Sequence, residues 1–90
     1  MNISRIDVRM NPSPYHKVKA YITLILEECL AIHDIAVIEG DHGIFVAMPS
    51  RHCSDGRSRD IVHPLDSGTR AELSAMCLRA YEQEKRKITL

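Results

Sequence analysis

Four cationic or imidazole side chains, Arg51, His52, Arg57 and Arg59, fall within nine residues around the turn-forming run Ser54-Asp55-Gly56. Glycine tolerates positive φ and the Asp side chain bonds nearby backbone N–H groups, so the segment turns sharply there and its basic side chains can converge. Guanidinium groups suit phosphate oxygens, because they donate in a planar fork and keep their charge at any cellular pH. Each phosphate neutralised releases condensed counterion, and four such contacts give a salt slope of about −3.6 on duplex DNA. The alternative is a solvated, charged hairpin tip, since basic runs have low specificity as a motif. Arg70 stands at the start of a predicted helix, where free N–H groups and the positive dipole end favour an anion. It can join the loop arginines in holding a phosphate, or pair with Asp66 or Glu72. Lys85, Arg86 and Lys87 are a third cationic group, read as a solvated helix end that complements the negative dipole or as an electrostatic aid to binding.

Other chemistries find less support. Five histidines and three cysteines supply metal-ligand types, yet no pair has the CxxC or HxxxH spacing that presents two ligands to one ion, and neighbours on a strand point to opposite faces. No metal and no cofactor is expected, and His33 and His63 read as packed or hydrogen-bonded structural residues. Catalysis needs a nucleophile with a base, or paired carboxylates in a cleft. Cys53 beside His52, His33 beside Asp34, and Asp60 near His63 are chance juxtapositions in so short a chain, so no catalytic residue is assigned. Residues 39–43 lack the P-loop lysine and the GxGxxG spacing. Tyr15, Tyr21, Phe45 and Tyr81 are the only aromatic residues, and none alternates with basic residues as a stacking platform for single strands would.

Composition sets the frame for these residues. Twelve basic and twelve acidic side chains cancel, so any polyanion binding must come from local clustering and not from a global field. Ninety residues fit one domain, residues 1–90, and a chain this short buries only about 60–65% of the surface its unfolded form exposes. Pairing of two copies would relieve that thin core. Cys29, Cys53 and Cys77 are odd in number and well separated, which argues against a disulfide framework and for a reducing compartment. No stretch approaches the about 20 apolar residues of a membrane span, and the N-terminus lacks the apolar run of a signal peptide. A cytoplasmic protein without membrane contact is the expectation.

The elements that must position the basic residues follow from periodicity. Ile6, Val8 and Met10 alternate with Arg5, Asp7 and Arg9 as a strand with one buried face, ended by Asn11-Pro12-Ser13-Pro14. Val18 to Leu26 alternate in the same way. Ile22, Ile25, Leu26, Cys29, Leu30 and His33 also fall at helical spacing, so residues 21–33 fit a strand or an amphipathic helix, and the many β-branched side chains favour strand. Leu30–Ile38 reads as extended, and Glu39-Gly40-Asp41-His42-Gly43 turns the chain into Ile44–Met48, which Pro49 ends. A return strand is expected at about Arg59–His63, stopped by Pro64. Leu73, Met76, Cys77, Ala80 and Tyr81 form a helical stripe, and Thr69 with Glu72 makes a capping box, so a helix is expected over about 70–85 with a basic tail at 85–90. Its apolar stripe must cover the open face of a sheet spanning about residues 3–64.

The order His33-Asp34-Ile35, Ile44-Phe45-Val46-Ala47-Met48-Pro49-Ser50, Arg59-Asp60-Ile61, His63-Pro64 and Thr69-Arg70 closely resembles the stage V sporulation protein G family, also called septation proteins. The resemblance covers roughly the first 80 residues. It implies sheet, not helix, at residues 21–33, and a dimeric, site-selective DNA- and RNA-binding regulator, not an enzyme. The family has a basic pair after Met-Pro-Ser, matched here by Arg51 and weakened at His52, and Ser54 replaces the proline expected before Asp55-Gly56. Residues at the start of the family's helix help select the target, which implies that role for Arg70. The expected fold is α+β, an antiparallel sheet of about five strands with one C-terminal helix packed on it. The expected function is regulation of bacterial gene expression by a homodimer binding DNA, with RNA as a second ligand, through Arg51, His52, Arg57, Arg59 and Arg70. The rival readings are a protein-interaction module that docks a partner through the helix or an edge strand, and a small metal- or cysteine-dependent enzyme.

Overall fold

Six strands and one long helix account for most of the backbone in a computed structural model that describes residues 2–89, with side chains to Lys87. Met1 and Leu90, the latter closing the predicted tail 85–90, lie outside the described residues. Strands β1 (Ile3–Met10), β2 (Val18–Leu26), β3 (Leu30–Gly40) and β4 (Gly43–Ala47) form an antiparallel sheet in chain order. Strands β5 (Ser50–His52) and β6 (Ser58–Asp60) pair only with each other. Helix α1 spans Ser67–Thr89. The fold is α+β, and the expected five-stranded sheet resolves into four strands plus a separate two-stranded ribbon. Pro49 has no N–H to offer a ladder, so the chain leaves the main sheet there and starts a new pairing.

Residues 21–33 are strand and turn, and the helical spacing of their apolar residues is not used. Along β2 the buried Ala20, Ile22, Leu24 and Leu26 alternate with half-buried residues, the period of a strand with one dry face. Three register shifts interrupt the sheet among the described residues, at Ile3/Arg5, Val18/Ala20 and Ile22/Leu24, and the first and last adjust the alternation. Between Ile22 and Leu24 on β2 lies one residue, whereas between their partners Ile35 and Ile32 on β3 lie two, His33 and Asp34. The extra residue returns both Ile32 and Ile35 to the helix side, although their odd spacing would place them on opposite faces of a regular strand. Asp34 takes the strain, with φ 63°. A shift between Ile3 and Arg5 does the same for Ile3 and Ile6.

The β2–β3 turn is built from two glutamates, Glu27 and Glu28, at φ 51° and 57°. Each such non-glycine residue costs about 1–2 kcal/mol. Bonds to the β1 end offset part of that cost: Glu27 N–H donates to the Asn2 carbonyl at 2.9 Å and Glu28 N–H to Ser4 Oγ at 2.8 Å.

Helix α1 lays Leu73, Cys77 and Tyr81 on the sheet, one residue per turn, closing one core with the buried residues of β2 and β3. Leu78 and the inward residues of β1 and β4 pack at its margin. Burial raises the Cys77 thiol to about 11, so it stays protonated and apolar.

Two expectations about the helix are corrected. It begins at Ser67, not near Arg70, because Asp66 caps it: Asp66 Oδ1 accepts the Thr69 N–H at 2.6 Å and Oδ2 accepts the Thr69 hydroxyl at 3.0 Å. Thr69 is therefore the third helical residue and not the cap of a Thr69–Glu72 box. These bonds, the backbone one first, hold the Asp66 carboxyl below its ordinary value. A Cβ on Gly68 would come within 3.3 Å of the same carboxylate, which favours glycine there. At the other end the helix runs through Lys85, Arg86 and Lys87 to Thr89, so the described part of the basic tail is its last turns.

Candidate nucleic-acid interface

The β5–β6 ribbon pairs Ser50 with Asp60, Arg51 with Arg59 and His52 with Ser58. Backbone bonds outside these pairs set its faces. Cys53 N–H donates to the Arg57 carbonyl at 2.7 Å and Ile61 N–H to the Pro49 carbonyl at 2.7 Å. Counting inward from both, Arg51 and Arg59 are a hydrogen-bonded pair with Cα atoms about 5.5 Å apart and side chains on one face. Cys53 and position 57 share that face by alternation, as does Ile61. Two of the predicted site residues, Arg51 and Arg59, thus come together, and Arg57 falls on the same side of the ribbon without lining the cavity beside them.

A cavity of about 360 Å³ opens beside the pair, lined by Arg51, Cys53, Arg59, Asp60 and Ile61. All three arginines are exposed, and none has an ion-pair partner among the described residues. Two like charges directly across a ladder weaken it, and an anion between them removes that cost. The ribbon tip turns on Gly56, at φ 85°, while Asp55 Oδ1 accepts the Arg57 N–H at 3.0 Å.

His52 goes elsewhere. Its ring lies on the opposite face, where Nδ1 and Ser58 Oγ are 3.3 Å apart, so it does not join the arginines. The same alternation separates His52 from Cys53 and removes any nucleophile–base contact through that pair. The expected return strand at Arg59–His63 is shorter and earlier, Ser58–Asp60, and His63 Nδ1 bonds the Pro64 carbonyl at 3.0 Å. Arg70 is the fourth residue of α1, exposed, with no ion pair to Asp66 or Glu72 among the described residues, and it does not line the ribbon cavity.

Outside the ribbon several polar groups are engaged locally. Arg9 lies 5.3 Å above the Tyr21 ring, Arg5 pairs with Asp7 at 3.0 Å, and His33 Nδ1 bonds Thr23 Oγ1 at 3.2 Å across the β3 bulge. Among the described residues no three His, Cys, Asp or Glu side chains gather as a metal-binding group. No helix among the described residues is long and apolar enough to cross a membrane.

A family model described as SpoVG matches residues 1–83. The chain belongs to the SpoVG family. Its relatives include proteins described as "Putative septation protein SpoVG". That of Myxococcus xanthus is 43% identical over 83 residues, covering 92% of this chain and 82% of the relative. That of Lachnospira eligens is 43% identical over 83 residues, covering 92% and 93%. In Bdellovibrio bacteriovorus the corresponding protein is 42% identical over 78 residues, covering 87% and 72%. The SpoVG match takes in β1 through most of α1, and therefore the whole ribbon.

Two features escaped the sequence reading. Ser50–His52 was not marked as a strand, because three polar residues after a proline carry no periodicity. The division of the basic residues between two faces depends on the ribbon's register, which the sequence does not display.

Proposed function

We propose that this SpoVG-family protein is a non-catalytic regulator of bacterial gene expression that binds DNA site-selectively, with RNA as a second ligand, and works as a cytoplasmic homodimer. The septation role named for its relatives enters here as part of that proposal. One observation carries the reading: Arg51 and Arg59 face each other across the ribbon, with position 57 beside them and no carboxylate partner among the described residues. Such a pair is a ready site for a phosphate or a base edge. Arg70 contributes from the helix start, and His52 is assigned to the back of the ribbon.

The pairing surface is the open edge of β3. Strand β4 covers only Ala36–Gly40, leaving Leu30–Ile35 without a neighbour on that side among the described residues. Beside it an apolar cavity of about 310 Å³ is lined by Leu30, Ile32, Pro49, Ile61 and Val62 among others. Leu30 and Ile61 are 58% and 64% exposed, a cost to a monomer that pairing removes.

The experiment is fluorescence anisotropy with labelled duplex DNA and with RNA at several salt concentrations. Binding should fall steeply with salt, and Arg51→Ala should flatten the slope by about 0.9. Salt-insensitive capture of a protein partner, with no affinity for either nucleic acid, overturns the reading.

A further inference from the structure

We infer that the β5–β6 ribbon enters the major groove of duplex DNA and that Arg51 and Arg59 read guanine edges there. This inference rests on the nucleic-acid-binding reading above and makes its ligand specific.

The geometry supports it in three ways. First, the ribbon has its own ladder, separate from the four-stranded sheet, and among the described residues its extensive element contacts are between its own two strands, so it stands out from the body. A two-stranded antiparallel ribbon is one of the two elements that fit the major groove, about 12 Å wide, and only there does each base pair present a distinct edge for arginine to read. Second, the ribbon and its tip, residues 50–60, contain no Phe, Tyr or Trp, and their one ring is the His52 imidazole, on the face opposite the arginines. Elsewhere Tyr21 is covered by Arg9 and Tyr81 is buried, while Tyr15 and Phe45 are exposed but lie outside the ribbon. Single-stranded recognition relies on bases stacked on exposed rings, and the arginine face of the ribbon supplies none. Third, the arginines are a hydrogen-bonded cross-strand pair, with Cα atoms about 5.5 Å apart. Their forks can reach guanines on neighbouring base pairs, each donating twice to O6 and N7. Asp60 borders the same cavity but by alternation points its side chain to the His52 face, and the two guanidinium groups hold the net charge of the site positive.

A simple phosphate clamp would use the same arginines without reading sequence. The two differ in what they need from the DNA: a clamp needs charge alone, groove reading needs the guanine N7 acceptor. They also differ in what they need from the protein, because lysine preserves charge and loses the fork.

The test uses the full chain and short duplexes with a randomised centre, taken through rounds of selection and resynthesised with 7-deazaguanine, which replaces the N7 acceptor with C–H. The inference expects enriched guanines, an affinity loss of about five- to 150-fold for the 7-deaza duplex, and a comparable loss for Arg51→Lys with the salt slope nearly unchanged. It also expects the separated single strands of the selected duplex to bind more weakly. If the 7-deaza duplex and Arg51→Lys bind like their parents while Arg51→Ala binds poorly, the ribbon is a phosphate clamp: the inference falls and the proposed function stands. Equal or tighter binding of single strands, or no enrichment at all, overturns the inference as well. Absence of salt-dependent binding to any nucleic acid overturns both.

Discussion

Replacing Arg59 with threonine should stabilise the ribbon while weakening binding. In the free protein Arg51 and Arg59 are like charges on facing positions of one ladder. With the guanidinium centres about 7 Å apart in water, the Coulomb repulsion is about 0.6 kcal/mol before screening. Screening lengths of about 30 Å at 0.01 M and about 8 Å at 0.15 M salt reduce it to about 0.5 and about 0.25 kcal/mol. Ribbon opening should therefore slow by about twofold at low salt and about 1.5-fold at physiological salt, with a further small gain from the strand preference of threonine. Amide hydrogen exchange at Cys53 and Ile61, whose N–H groups close the ribbon onto Arg57 and Pro49, reads this directly. Affinity for duplex DNA should move the other way, with the salt slope falling by about 0.9. Faster exchange at Cys53 in Arg59→Thr would refute the argument, because it would mean that the facing guanidinium groups already stabilise the free ribbon.

Other expectations concern the scaffold. Glu28→Gly removes a left-handed glutamate and should stabilise the fold by up to about 1 kcal/mol in denaturant titration, since glycine adopts that conformation freely but loses more entropy on folding. Ile22→Ala empties a fully buried site and should cost about 2–5 kcal/mol in the same assay. Because the Asp66 carboxyl titrates lower folded than unfolded, its stabilisation is full above the ordinary carboxylate value and is lost as pH falls through the lowered one. Asp66→Asn keeps an acceptor, so circular dichroism below about pH 4 should show a shallower acid loss of helix than in the parent. Cys77, with its thiol raised to about 11, should resist alkylation in the folded protein while exposed Cys29 reacts, as counted by mass spectrometry. The same shift makes stability fall between about pH 9 and 11, where the unfolded chain releases a proton that the folded one keeps.

Much of the scaffold was legible because burial imposes period. Ile6-Val8-Met10 and Ala20-Ile22-Leu24 alternate because each has one dry face, and Leu73-Cys77-Tyr81 recurs at four because one helical stripe meets the sheet. The misses occur where a tertiary contact overrides a local pattern. Glu27-Glu28 carries no turn signal, and its conformation is held by bonds to Asn2 and Ser4, distant in the chain. The bulge at His33-Asp34 breaks the alternation of β3, so that strand read only as extended. Thr69 with Glu72 fits the capping-box pattern and Asp66 with Thr69 does not, so only the bond geometry shows Asp66 to be the cap. At the site, the arginines were recognisable by type and spacing. Their convergence, and the exit of His52 to the other face, required the register of a ribbon too short to announce itself.

Because β5 and β6 share no ladder with the rest of the molecule, residues 50–60 behave as a replaceable cassette. Residues 50–60 contribute none of the buried core, so the ribbon can change in sequence while the body stays constant. On the proposed function, transplanting this eleven-residue segment between two SpoVG scaffolds should carry the ribbon's share of the donor's preference, while the share of Arg70 stays with the recipient.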